Sequence, residues 1–187
     1  MSAPPGIGHN SDHDPQGYAG RVHLWRKARA GLVSNRMPLE VIRLRMRRAE
    51  ALGLDFRTYA AVRATTGRDV VALLFSSSAL GMLRRAELDA RAAAKLAAVA
   101  AGRGALVHAP VPVEAPAPLD WADRAPSFVD APAAVAARLR AVLRDRGLSA
   151  DAVLMVGATA VERAWTPAVR AAGWIDAERY FGGRGAG

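Results

Sequence analysis

The sequence predicts an α/β fold: a small, doubly wound, mostly parallel sheet preceded by a basic helical segment. Two observations lead to this class. After residue 68, short apolar segments alternate with amphipathic ones, as in sheets whose buried parallel strands are joined by right-handed helical crossovers. Before residue 69 the pattern is helical and holds 12 Lys and Arg against 5 Asp and Glu, whereas residues 69–187 hold 14 against 12.

Composition limits the classes of function. The 187 residues include 26 Lys and Arg, 17 Asp and Glu and no Cys, with a formal net charge of +9. The absence of Cys excludes thiol catalysis, disulfides and thiolate metal sites, and it favours a cytoplasmic location. The longest uncharged segment, Val70–Leu83, is shorter than a membrane span, and the first residues lack a signal-peptide pattern, so we expect no membrane partner.

Four regions are predicted along the chain: a disordered tail (1–20), a basic helical segment (21–68), an α/β domain (69–181) and a flexible tail (182–187). Repeated Pro and Gly interrupt any periodicity in the first tail. Its His and Asp side chains could bind a metal ion only if the tail became ordered, at an entropic cost. We therefore predict no metal site, and no cofactor is expected.

The basic helical segment contains two predicted helices. Pro38 suits a first helical turn, and Leu39 and Met46 share one face with the residues between them at spacings of three and four. Gly53 ends this helix. Asp55 is the expected N-cap of a second helix that ends at Gly67.

This pair resembles a helix-turn-helix motif. Ala49 lies four positions before the turn glycine Gly53, and Val62 lies nine after it, which would let the helices cross closely. Plain helix packing, or an acidic protein partner, would explain the same pattern and charge. If the motif contacts nucleic acid or such a partner, the contact residues are predicted to be Arg43, Arg47, Arg48, Arg57 and Arg63.

The α/β domain is predicted to begin with a buried strand. Asp69–Phe75 (DVVALLF) is continuously apolar after its first residue and is followed by serines. An Ala-rich helix with Leu88 and Leu96 on its apolar face should follow, with Gly102 as the residue that stops it, and Ala105–His108 is the next predicted strand. The Pro-rich residues after it are predicted to form an extended surface loop.

The last third continues the alternation. Ala134–Arg146 is predicted to be an amphipathic helix, and Ala152–Val156 (AVLMV) a third buried strand. A helix then restarts at Thr166, before Pro167. Because three strands are few for a covered sheet, a short fourth strand is predicted at Gly173–Asp176.

A ligand site is expected beyond the carboxyl ends of these strands, where open α/β sheets bind ligands. Hydroxyls, backbone N–H groups and helix N-termini could hold an anion there, although the same residues also suit plain turns. The candidate ligand-binding residues are Ser76, Ser77, Ser78, His108, Gly157 and Thr159.

The same residue types also permit a hydrolase. His108 would act as the base for a serine of the group that ends the first strand, and Asp120 or Asp130 would orient the imidazole. However, the serines lack a G-x-S-x-G nucleophile elbow. Residue types alone do not establish such a triad, which is recognised by its geometry.

The first strand and its end resemble the haloacid dehalogenase-like family of phosphohydrolases, with the resemblance extending over residues 69–176. That family opens with an apolar strand ending in D-x-D-G-T, in which the first Asp attacks phosphorus and the second is the acid and base. Here the strand continues as ALLFSSSALG, and Ser76 and Ser78 occupy the two aspartate positions. A serine hydroxyl is neither a comparable nucleophile nor a comparable Mg²⁺ ligand.

The later strand resembles the same family through its G-D-[ST]-x-x-D motif and the Ala-rich helix that ends in Ala-Gly. Gly157, Thr159 and Glu162 fit this motif, but Ala158 replaces the first metal-binding acid, and no lysine lies near Pro132, where the family has one. The resemblance thus implies a related fold without the family's activity. We expect Ser76 and Gly157 to lie on adjacent strand ends if it holds.

We therefore predict a non-catalytic cytoplasmic binding or regulatory protein. Its basic helical segment would contact nucleic acid or an acidic partner, and its α/β domain would carry a degenerate phosphohydrolase-like site. The first alternative is a small hydrolase or phosphate-ligand enzyme acting at the strand ends. The second is a structural interaction module. The sequence identifies no small-molecule ligand.

Overall fold

The computed structural model describes residues 37–182. The tail predicted at 1–20, the start of the basic segment and residues 183–187 lie outside the described residues. The chain divides into two compact units, Met1–Val41 and Ile42–Gly187. Of the first unit, only residues 37–41 are described, and the account below concerns the second.

Two helices precede the sheet, as predicted: α1 at Leu39–Ala51 and α2 at Phe56–Thr66. Asp55 caps α2, since its carboxylate accepts hydrogen bonds from the backbone N and the hydroxyl of Thr58. Gly67 ends α2 in the left-handed conformation, at φ +70°, which glycine adopts without strain. Both predicted caps are confirmed.

The sheet has five strands, all parallel, in the order β3-β2-β1-β4-β5. This arrangement confirms the predicted α/β class. The central strand β1 pairs with β2 on one side and with β4 on the other, so the order in which the chain adds strands reverses between β1 and β4. The strands are β1 at Ala72–Ser76, β2 at Gly102–Val107, β3 at Trp121–Arg124, β4 at Val153–Gly157 and β5 at Gly173–Asp176.

Helices connect the strands, except β2 and β3, which residues 108–120 join without a helix, and one helix follows the last strand. They are α3 at Ala90–Ala97, α4 at Pro132–Asp145, α5 at Ala160–Arg163, α6 at Trp165–Val169 and α7 at Ala177–Gly182. A short 3₁₀ turn at Ala150–Ala152 leads into β4.

Apolar side chains cover both faces of the sheet. Along β1, Leu73 and Phe75 belong to one buried cluster, with residues of α1, α2, α3 and α7. Ala72 and Leu74 belong to a second cluster, with residues of α4 and α6. This alternation is the two-residue period of a strand covered on both sides, and it explains why the strand sequences are continuously apolar.

Three local predictions were wrong. The segment predicted as a loop contains β3, whose four half-buried residues pair with β2 at the edge of the sheet. An edge strand needs a partner on one side only, so prolines outside its four residues do not prevent it. Helix α3 ends at Ala97, and Gly102 begins β2 instead of stopping the helix. The helical break lies at Ala164, and Thr166 is inside α6.

Candidate functional site

The carboxyl ends of β1, β2 and β4 meet at one edge of the sheet. Ser76 pairs with Leu106 of β2, and Phe75 pairs with Val156 of β4. The next residues in that second register are Ser76 and Gly157, which therefore lie on adjacent strand ends, as the sequence analysis required. His108 follows β2 directly, so the predicted ligand-binding residues are brought to one place.

The group at the centre of this place is the carboxylate of Glu162, whose side chain is fully buried. Oε1 lies 3.0 Å from His108 Nε2. Oε2 accepts the backbone N–H groups of Ala158 and Thr159 at 2.9 and 3.0 Å. The hydroxyls of Ser78 and Ser76 also hydrogen-bond this carboxylate. Donors from three strand ends thus converge on one side chain.

The local sequence explains how Glu162 reaches this position. Thr159 is the N-cap of α5, and its hydroxyl accepts the backbone N–H of Glu162 at 3.2 Å while the Glu162 carboxylate returns to the backbone N–H of Thr159. This reciprocal pair is a capping box, T-x-x-E. Because Gly157 carries no side chain, Trp174 packs against its backbone, where a Cβ would lie 2.1 Å from the indole.

The hydrogen bonds keep Glu162 ionised despite its burial. Burial raises the pKa of this carboxyl, but hydrogen bonds from His108, Ala158 and the two serines outweigh it and lower the pKa to about 2. A carboxylate has about four lone-pair positions, and five donor groups already face Glu162. An external anion at this point would meet a buried negative charge with its donors already engaged.

His108 is held on several sides. Its backbone N–H donates to Ser77 Oγ at 3.1 Å. Its ring stacks on Phe128, with centroids 4.3 Å apart and the planes at 17°, and the Trp165 ring lies at 5.5 Å. The ionised Glu162 only accepts hydrogen bonds, so Nε2 of the imidazole carries a hydrogen and donates it to this carboxylate.

The serine hydroxyls do not form a catalytic pair with His108. Ser76 Oγ accepts the backbone N–H of Ala79 at 3.1 Å, and Ser77 Oγ accepts the backbone N–H of His108, not a ring nitrogen. The acids considered for orienting the imidazole have other partners: Asp120 pairs with Arg103, and Asp130 accepts the N–H of Ser127. Glu162 holds the imidazole instead.

Sequence reasoning included Glu162 only as one position of a family motif. It did not identify this residue as the internal anion or as the partner of His108. The T-x-x-E spacing from Thr159 to Glu162, directly after a buried strand, is the signal that could have placed the carboxylate at the helix start. Contact with His108, 54 positions away, has no local signal.

The predicted arginines of the basic helices differ in their exposure to solvent. Arg43, Arg47, Arg48 and Arg57 are exposed. Arg63 is half-buried and pairs with Asp69, whose pKa is lowered by hydrogen bonds from Tyr59 and Arg63 that outweigh its burial. Thr58, next to Arg57 on α2, is buried, and its hydroxyl accepts a hydrogen bond from Arg179 at 2.8 Å.

Within residues 37–182, the structure shows neither a metal-binding cluster nor a membrane-spanning helix. In this range, no three His, Asp or Glu side chains are grouped so that they could hold a metal ion. None of the helices in the same range is sufficiently long and apolar to cross a membrane.

Comparison with protein-family models, with curated proteins and with solved structures found no match to this chain.

Proposed function

We propose that this chain is a non-catalytic binding or regulatory protein. Its exposed arginines on α1 and α2 contact nucleic acid or an acidic partner, and its α/β domain carries a degenerate phosphohydrolase-like site. The observation that carries the proposal is the position of Glu162. Its carboxylate lies where the predicted anion site would receive a ligand, and it engages the groups expected to bind that ligand.

Catalysis at the strand ends lacks a serine whose hydroxyl is paired with the imidazole of His108. In the phosphohydrolase resemblance, Ser76 and Ser78 replace the two aspartates, and Ala158 replaces a metal-binding acid. The hydroxyls of both serines hydrogen-bond Glu162, and Nε2 of His108 faces the same carboxylate. A nucleophilic serine would need its hydroxyl directed to an imidazole nitrogen that can take its proton.

Charge supports the contact with a polyanion. Residues 1–68 have seven more basic than acidic residues, and the four exposed arginines lie on two consecutive helices. Guanidinium groups bind phosphate and carboxylate oxygens in pairs. Because the inner faces of these helices pack on the α/β domain through Ala49, Leu52 and Tyr59, the arginines are carried on a fixed support.

Turnover tests the non-catalytic part of the proposal. Full-length protein is incubated with p-nitrophenyl phosphate and Mg²⁺, and the expected release of p-nitrophenol equals that in buffer. The Ser76→Ala variant is the matched control, because it removes the hydroxyl at the resemblance's nucleophile position. Release by the wild-type chain that Ser76→Ala abolishes would overturn the proposal in favour of a hydrolase.

Salt-dependent binding tests the partner. We expect the chain to bind a 20-base-pair DNA duplex with an affinity that falls as salt rises, and the triple variant Arg47→Ala/Arg48→Ala/Arg57→Ala to lower the salt slope by up to about 3. The control Arg84→Ala/Arg85→Ala/Arg144→Ala removes the same charge from exposed positions outside α1 and α2.

The two kinds of partner and the failure of the proposal are distinguished in the same assay. Poly-L-glutamate replaces the duplex in a second series. Stronger effects of the α1 and α2 substitutions on poly-L-glutamate than on DNA would support the acidic protein partner. Affinities for both that are independent of salt, or that the two triple variants lower equally, would contradict a specific arginine surface.

A further inference from the structure

A recess lies at the same edge of the sheet as Glu162, beside the ends of β2 and β3. It is a cleft of about 520 Å³ next to the amino end of α4. Its polar and aromatic lining residues are His108, Arg124, Ser127, Phe128, Asp130 and Arg138. The cleft shares no residue with the arginine surface of α1 and α2, and Glu162 does not line it.

We infer that this cleft binds a small aromatic phosphate ester. The first support is His108, which is 8% exposed and borders the cleft. Nε2 is engaged by Glu162, but Nδ1 has no hydrogen-bond partner among residues 37–182. Nδ1 is not fully buried, so it reaches space open to solvent. Nδ1 is therefore a polar atom that can form a hydrogen bond with a ligand in the cleft.

The second support is the start of α4. This 14-residue helix begins at Pro132, its N-cap Ala131 provides no side-chain hydrogen bond, and its first turn contains no acid. Ala134, in that first turn, lines the cleft. The uncapped N–H groups and the positive end of the helix dipole therefore face the cleft without a side-chain acceptor, which favours an anion.

The third support is a pair of guanidinium groups with unused donors. Arg138 Nη2 donates to Asp123 at 2.6 Å and Nε to the Arg124 carbonyl at 3.2 Å, which leaves Nη1. Arg124 uses Nη1 for the carbonyls of Val107 and Val111, which leaves Nη2. The lining holds these two guanidinium groups and one carboxylate, that of Asp130, which accepts the N–H of Ser127.

Phe128 provides the aromatic part of the site. One face of its ring stacks on His108, and the residue is 55% exposed, so the other face is open. A flat ring on that face would continue the stack, while its phosphate group could reach the arginines and the helix end. The volume of the cleft lies in the usual range for small-molecule sites.

Isothermal titration calorimetry of the full-length chain tests this site with phenyl phosphate, adenosine monophosphate and inorganic phosphate as separate ligands. We expect both aromatic esters to bind more tightly than inorganic phosphate. Phe128→Ala should weaken the esters by about tenfold without affecting inorganic phosphate, and Arg138→Gln should weaken all three by about tenfold or more.

Arg144→Gln is the matched control, because it removes an exposed arginine from the other end of the same helix. Equal effects of Arg138→Gln and Arg144→Gln would overturn the site, and so would the absence of binding to the wild-type chain at millimolar ester. If Arg138→Gln does not fold, wild-type amide NMR gives the answer. Phenyl phosphate should shift the Ser127, Phe128 and Ala134 signals, and shifts confined to α1 and α2 would contradict the cleft.

Discussion

Hydrogen-bond donors gather at two places along the carboxyl edge of the sheet, and the two places differ in what those donors face. Between β1 and β4, backbone N–H groups, hydroxyls and an imidazole N–H converge on the buried carboxylate of Glu162. Beside β2 and β3, guanidinium groups and an uncapped helix end face a cleft. At the first place, Glu162 of the chain itself engages the donors and stabilises the fold. At the second place, no side chain of this kind among residues 37–182 occupies the cleft, and we propose that its donors bind a ligand.

Removal of the Glu162 carboxylate should have the largest effect on stability. Glu162→Ala leaves His108 and two backbone N–H groups without their acceptor, and we expect the free energy of unfolding to fall by about 3–5 kcal/mol. Glu162→Gln keeps an acceptor oxygen and should cost less. Urea unfolding monitored by circular dichroism measures both. The exposed loop substitution Glu114→Gln is the control, and an equal effect of the three would contradict a central role for Glu162.

Acid should cause the next largest loss of unfolding free energy. The folded pKa of Glu162 is about 2, below its ordinary value of 4.5, so the carboxylate stabilises the fold at pH above 4.5 and this contribution is lost as the pH falls towards 2. The difference between these two pKa values corresponds to ~3 kcal/mol of unfolding free energy. Urea unfolding at pH 7, 4 and 3 should show this loss in the wild-type chain and a smaller one in Glu162→Gln. Parallel pH profiles would contradict the assignment.

A methyl group at Gly157 should have an intermediate effect. A Cβ there would lie 2.1 Å from the Trp174 ring and 3.1 Å from Glu162 Oε2, so Gly157→Ala must displace the Trp174 ring and also crowds Glu162. We expect a loss of about 1–3 kcal/mol in unfolding free energy. Gly182→Ala, where no atom lies within 4 Å, is the control. If thermal unfolding shows the same change in both variants, Trp174 is not closely packed against Gly157.

The smallest effect on stability is expected on the cleft side. Phe128 is more than half exposed, so Phe128→Ala should change the free energy of unfolding by less than about 1 kcal/mol. Trp165→Ala, on the other aromatic neighbour of His108, should cost about 3–5 kcal/mol because this residue is buried. A large loss in Phe128→Ala, measured by urea unfolding, would mean that this ring belongs to the core and is not free to stack on a ligand.

Much of the fold could be predicted from local pattern. Apolar runs located three strands, and the short strand at Gly173–Asp176 was predicted with the bounds observed. Asp55 begins helix α2 as its N-cap and Gly67 ends it in the left-handed conformation, as predicted. Strand β3 could not be predicted in this way, because its half-buried residues show no apolar run and its pairing with β2 is a tertiary interaction.

The candidate site was predictable only as a location. Strand ends identify where Ser76, His108 and Gly157 gather, since parallel strands end at one edge. The direction of each side chain depends on contacts between distant positions, such as the one that joins His108 to Glu162. Sequence spacing therefore suggested an empty anion site, whereas the structure has the chain's own carboxylate there.

The ionisation of Glu162 tests this account most directly. In a ¹³C-labelled chain, the side-chain carboxyl signal of Glu162 can be followed from pH 7 to pH 3 while the amide spectrum reports that the chain remains folded. We predict that the Glu162 carboxyl stays ionised over this range, because its pKa is about 2. A titration midpoint near 4.5 in the folded chain would show that the strand-end donors do not bind this carboxylate, and it would contradict the account.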